Sequence, residues 1–123
     1  MSPKVLVVDD DPHVLQLLRV NFELEGYDVL SALGGEEALG IIAADKPDVL
    51  VCDVMMPGMN GLEVVRRVRA NPKSSKLPIV MVSAKTLPGD ISAGNEAGVD
   101  AYVTKPFDPQ DLLDAVARLL KRK

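Results

Sequence analysis

At 123 residues the chain has room for one domain, and that size can bury a normal core without disulfide or metal staples. With 47% hydrophobic and 26% charged residues it is neither disordered nor fibrous, and a net charge of -4 argues against a nucleic-acid-binding domain, whose phosphate contacts need a basic face. Its single cysteine, Cys52, excludes an internal disulfide and any cysteine-only metal cluster and fits a reducing cytoplasm. Met1-Ser2-Pro3-Lys4 has no signal-peptide anatomy, and no run approaches the roughly 18 apolar residues that span a bilayer, so no membrane partner is expected.

Val5-Leu6-Val7-Val8 reads as a short buried strand that ends in Asp9-Asp10-Asp11. Asp11 before Pro12 is an N-cap followed by a first helical residue, opening a helix with Val14, Leu15, Leu18 and Phe22 inward that stops at Gly26. His13, with no second histidine or cysteine at ligand spacing, is expected to be exposed and without function. Residues 27–32 make a weaker, edge-like strand, and Gly34-Gly35 opens a helix to about Asp45. The stretch Val49-Leu50-Val51-Cys52-Asp53 drives an apolar run into one carboxylate and is broken by Pro57-Gly58, the pattern of a central strand covered on both faces.

Asn60 caps the next helix, with Leu62, Val65 and Val68 expected inward and Glu63, Arg66, Arg67 and Arg69 outward, until Asn71-Pro72 ends it. Residues 77–82 form a fourth strand with Ser83 at its end. A helix over roughly 88–97 is the weakest of the chain because it holds Gly89 and Gly94, each costing about 1 kcal/mol against alanine. Residues 100–104 form a short fifth strand running into Lys105-Pro106-Phe107, and Asp108-Pro109 caps a last helix carrying Leu112, Leu113, Val116, Leu119 and Leu120. The basic end, Lys121-Arg122-Lys123, suits a helix C-terminus.

Five β-α units with short connections predict an α/β fold, a doubly wound parallel sheet with helices on both faces, as one domain over 1–123. Every strand then ends at one rim, which brings Asp9, Asp10, Asp53, Ser83 and Lys105 together. Three carboxylates in one pocket repel by about 4 kcal/mol per pair at 4 Å and an effective dielectric of 20, so positive charge must sit among them. Lys105 and a divalent oxygen-loving cation supply it, and Mg²⁺ suits a site of few carboxylates that keeps its waters. Asp9 and Asp10 can hold the ion directly or through water, which leaves Asp53 free to act as a nucleophile toward phosphorus. Ser83 can donate to one phosphoryl oxygen and Lys105 can pair with another.

The chain resembles the receiver domain of two-component response regulators over essentially its whole length. The resemblance rests on Val8-Asp9-Asp10-Asp11, on Asp53-Val54-Met55-Met56-Pro57-Gly58-Met59-Asn60-Gly61, on Val82-Ser83-Ala84-Lys85, on Gly98-Val99-Asp100-Ala101-Tyr102 and on Thr104-Lys105-Pro106-Phe107. It implies a flavodoxin-like (βα)5 fold with strand order 2-1-3-4-5. It also implies Asp53 as phosphoacceptor, Asp10 as a direct ligand of Mg²⁺ (or Mn²⁺), Asp9 as a ligand through water, and the Met55 backbone carbonyl completing the protein's share. Ser83 and Tyr102 match the family's switch pair, Lys105-Pro106 its cis peptide, and Met55 and Lys85 the positions that tune phosphate lifetime. The implied partners are a sensor histidine kinase or phosphotransfer protein, and an effector or second copy met through the fourth helix, fifth strand and fifth helix.

Three other readings compete with this switch. A phosphohydrolase with an aspartyl phosphate intermediate normally carries a second acid two residues past its nucleophile, where this chain has Met55. A flavin-binding relative of the same topology would meet three acids where phosphate must sit. A receiver-like module that works without phosphorylation would not need Asp9, Asp10, Asp53, Ser83 and Lys105 together.

Overall fold

The computed structural model describes residues 2–83 and 98–121. The expected helix over 88–97 with its two glycines, Ala84, Lys85 and the Arg122-Lys123 end lie outside the described residues. Short, mostly apolar runs form the strands β1 (Lys4–Val8), β2 (Asp28–Ala32), β3 (Val49–Asp53), β4 (Ile79–Ser83) and β5 (Ala101–Thr104). The capped amphipathic stretches form α1 (Pro12–Leu24), α2 (Gly35–Asp45), α3 (Gly61–Ala70) and the C-terminal helix (Pro109–Lys121). The five strands pair in parallel in the order β2-β1-β3-β4-β5, as expected.

Side chains alternate across each strand and so build two cores. Val5, Val7, Val49, Val51, Val80 and Val82 face α1 and the C-terminal helix, whose Leu15, Leu18, Phe22, Leu112 and Val116 close that side. Leu6, Val8, Leu50, Cys52, Ile79 and Met81 face α2 and α3 through Ala38, Ile42, Val64, Val65 and Val68. β3 and β4 are buried along their length while β5 is only half-buried, and the strand bearing Asp53 stands at the centre of the sheet, held on both faces and both edges.

Three helices begin on a side-chain cap that satisfies an otherwise unpaired backbone N–H. Asp11 Oδ1 accepts from His13 N at 2.9 Å, Asn60 Oδ1 from Glu63 N at 3.0 Å, and Asp108 Oδ1 from Gln110 N at 2.9 Å. Gly26, with φ +90°, turns the chain after α1 in a conformation that favours glycine.

Two expectations for α3 are corrected. Val64, left out of the inward set, is fully buried. Arg69, expected outward, is only 21% exposed, because the last turn of α3 overhangs the starts of β4 and β5 and its guanidinium folds onto their carbonyls. It donates to Gly98 O, Ser75 O and Leu77 O and pairs with Asp100 Oδ2 at 2.9 Å. Asp100 Oδ2 also accepts from Ile79 N at 2.7 Å, which ties the entries of the two strands together.

Candidate functional site

The carboxyl ends of the strands form one rim, and the residues singled out from the sequence stand on it. Asp9 follows β1, Asp53 closes β3, Ser83 closes β4 and Lys105 follows β5, whose Thr104 is in register with Ser83. Asp9, Asp53 and Ser83 are the buried polar residues of the described chain, at 3%, 4% and 4% exposure. Asp10 is exposed at the mouth, and one carboxylate oxygen from each of Asp9, Asp10 and Asp53 lies within 4.8 Å of the others.

Lys105 arrives from the far edge of the sheet and sits between the two buried acids. Its Nζ is 3.1 Å from Asp9 Oδ2 and 3.1 Å from Asp53 Oδ2. The Lys105-Pro106 peptide is cis, as the resemblance implied. Asp9 Oδ1 accepts from Asp11 N at 2.9 Å, and Asp53 Oδ1 accepts from Met55 N at 3.3 Å. Burial pushes the Asp9 carboxyl above its ordinary value and the Asp53 charge adds to this, while the Asp11 N–H and Lys105 pull the other way. Burial alone would lower the Lys105 ammonium; its hydrogen bonds to Asp9 and Asp53 outweigh that and hold it above its ordinary value, so it is charged.

Met55 is placed beside Asp53 by its backbone N–H, and the residue is 65% exposed. Tyr102 lies half-buried on β5 opposite Met81, two residues before Thr104, and its ring packs on the core that faces α2 and α3. Ser83 and Tyr102 therefore share one side of the sheet. Cys52, one residue before Asp53, is buried with a thiol pushed far up, first by burial and then by the two acids, so it stays protonated and inert.

Gly61 was read from the sequence only as part of a motif, yet it sets how close α3 comes to the site. A Cβ there would run into the Asp53 carbonyl oxygen and stand 2.9 Å from Val54 Cα, and Gly61 N donates to Val54 O at 2.9 Å. The Asn60-Gly61 pair at a helix start after Asp53 was the available signal.

The donor set is all oxygen, two acids buried and one open to water, and among the described residues it carries three carboxylates against one ammonium. That composition fits a hard divalent cation, which a histidine or thiolate set would not.

The chain matches the family model "Response regulator receiver domain" over residues 5–117. It is 43% identical over 122 residues to the alkaline phosphatase synthesis transcriptional regulatory protein PhoP of Bacillus subtilis, covering 99% of this chain and 50% of that protein. It thus spans about half the length of that relative. Among solved structures it is similar to the chemotaxis protein CheY4 of Vibrio cholerae, with TM-score 0.93, 34% identity, and coverage of 97% of this chain and 99% of that one. A putative response regulator from Chloroflexus aurantiacus matches with TM-score 0.93 and 40% identity over 98% of this chain and 99% of that chain. With its parallel sheet in the order 2-1-3-4-5 and its acids gathered at one rim, the chain belongs to the response regulator receiver domains, the phosphoacceptor switches of two-component systems.

Proposed function

We propose that Asp53 is the phosphoacceptor of this domain, that it takes its phosphoryl group from a sensor histidine kinase or a phosphotransfer protein, and that the domain acts as one signalling unit. A carboxylate oxygen of Asp53 attacks phosphorus, the bond from phosphorus to the donor's leaving atom breaks, and that atom keeps the electron pair. The position of Lys105 carries the reading: one ammonium 3.1 Å from both buried acids makes a doubly acidic pocket tolerable and stands ready to pair with a phosphoryl oxygen.

Asp9, Asp10, Asp53 and the Met55 backbone carbonyl are the groups that would hold Mg²⁺ or Mn²⁺. When bound, the ion neutralises charge on the phosphoryl oxygens. Asp9 is the more tightly held acid, with Oδ1 on Asp11 N and Oδ2 on Lys105, so it serves as a fixed ligand. Asp53 has the longer, weaker contact to Met55 N and is the one left to react. Ser83 donates its hydroxyl hydrogen to the phosphoryl group, and Tyr102, on the same side of the sheet, turns inward with it. The result is read on the surface of the fifth strand and last helix by an effector or a second copy. The domain's catalysis is then confined to its own phosphorylation and hydrolysis, in the cytoplasm where such donors are made.

Labelling by acetyl phosphate tests this. Wild type should incorporate phosphate in Mg²⁺ and not in EDTA, and Asp53→Asn should not label at all. Labelling retained in Asp53→Asn would overturn the assignment.

A further inference from the structure

An apolar-floored hollow lies at the other end of β3 from Asp53. A cleft of about 480 Å³ opens where α2 ends and the connection from α3 enters β4, and a second of about 370 Å³ adjoins it and shares Ile42, Lys46, Lys73 and Ser74. Both volumes fall in the range of small-molecule sites. The floor is apolar, from Ile42, Val68 and Leu77, all of them buried. The rim carries Lys46, Lys73 and Lys76, and among the described residues no carboxylate lines either cleft.

These lysines are uncompensated. Among the described residues, none of the three ammonium groups has a carboxylate within ion-pair reach, although the chain carries 18 acids and a net charge of -4. Lys46 caps α2 and offsets the partial negative charge of that helix end. Lys76 lies well beyond the Asn71 cap of α3, so helix-end charge does not account for it. Unpaired cations around a concave apolar floor focus a positive potential into the groove. The Ser74 hydroxyl donates to Val68 O at 2.8 Å and the Ser75 hydroxyl to Pro72 O at 3.4 Å, so an anion there is held by the ammonium groups.

We propose that this groove binds a small amphipathic anion, a carboxylate on an aliphatic body, with the body over Ile42, Val68 and Leu77 and the head among Lys46, Lys73 and Lys76. The test follows the backbone amides of the full chain by NMR during titration with decanoate below its micelle concentration. Expected are saturable shifts at Ile42, Lys46, Ser74 and Leu77, weakened roughly fivefold by each of Lys73→Glu and Lys76→Glu, the upper end for an exposed ion pair. Acetyl phosphate labelling stays unchanged in both variants, which shows that they are folded. The proposal is overturned if 1-decanol shifts the same amides as strongly, if the variants bind decanoate as wild type does, if no saturable shift occurs, or if an oligoglutamate peptide binds there and decanoate does not.

Discussion

The two ends of the sheet hold charge in opposite ways. At the carboxyl rim, among the described residues, one ammonium faces three carboxylates, and two of those acids are almost completely buried. At the opposite rim Arg69 spends its donors on the carbonyls of Gly98, Ser75 and Leu77 and on Asp100, which in turn takes the Ile79 N–H. The matched Arg69–Asp100 pair there joins elements, whereas surplus negative charge at the other end lowers stability and leaves a place for a cation and a phosphoryl group. Stability and chemistry are thus separated along the length of one strand.

The largest effect is expected at the matched end. Arg69→Ala removes the donors to three carbonyls and strands Asp100, and breaking such a half-buried network costs about 3 kcal/mol. The midpoint of urea unfolding measures it. A loss below about 1 kcal/mol, the net worth of one ordinary hydrogen bond, would erase the contrast between the rims.

At the surplus end the sign should reverse. Asp9 is held above its ordinary pKa chiefly by burial, so the folded state binds its proton more tightly than the unfolded chain does. Its contribution to stability is present below the unfolded value of 3.8 and is lost as pH rises through the raised folded value. Asp9→Asn should therefore stabilise the protein in EDTA at neutral pH, a gain that fades as the medium is acidified. Thermal melts across pH decide it. A variant less stable than wild type in EDTA at pH 7 would show that Lys105 already balances the pocket.

How much of this was legible in the sequence follows the same division. Asp9, Asp53, Ser83 and Lys105 could be placed because each stands where an apolar run stops, and in a parallel sheet all such stops meet at one rim. The two-faced core was legible for a related reason, since short β-α connections leave few topologies, whereas the strand order came only with the resemblance to receiver domains. Arg69 was misplaced although its position was informative: it falls four residues after Val65 and seven after Leu62, on the inward stripe of α3. Residue type overrode spacing in that reading, and only the overhang of the helix on β4 and β5 shows what an inward arginine binds. Gly61 was legible only as half of the Asn60-Gly61 pair, because its need for a bare Cα comes from the Asp53 carbonyl beside it in space.

Arg67 supplies the finest version of the contrast. It stands two residues from Arg69 on the same helix and also has an acidic partner, Glu63, with Nε 3.1 Å from Oε2. But Arg67 is 56% exposed and Glu63 42%, and the pair is an ordinary i,i+4 contact in water. Solvent screening and the entropy of two long side chains reduce such a pair to about 0.3–0.5 kcal/mol. Arg67→Ala should move the unfolding midpoint barely beyond error, with an effect that disappears in high salt, whereas the Arg69→Ala loss should survive salt because its acceptors are mostly uncharged carbonyls. Equal losses at the two positions would mean that helix-surface charge, not the clasp on Gly98 and Leu77, is what holds this end of the sheet.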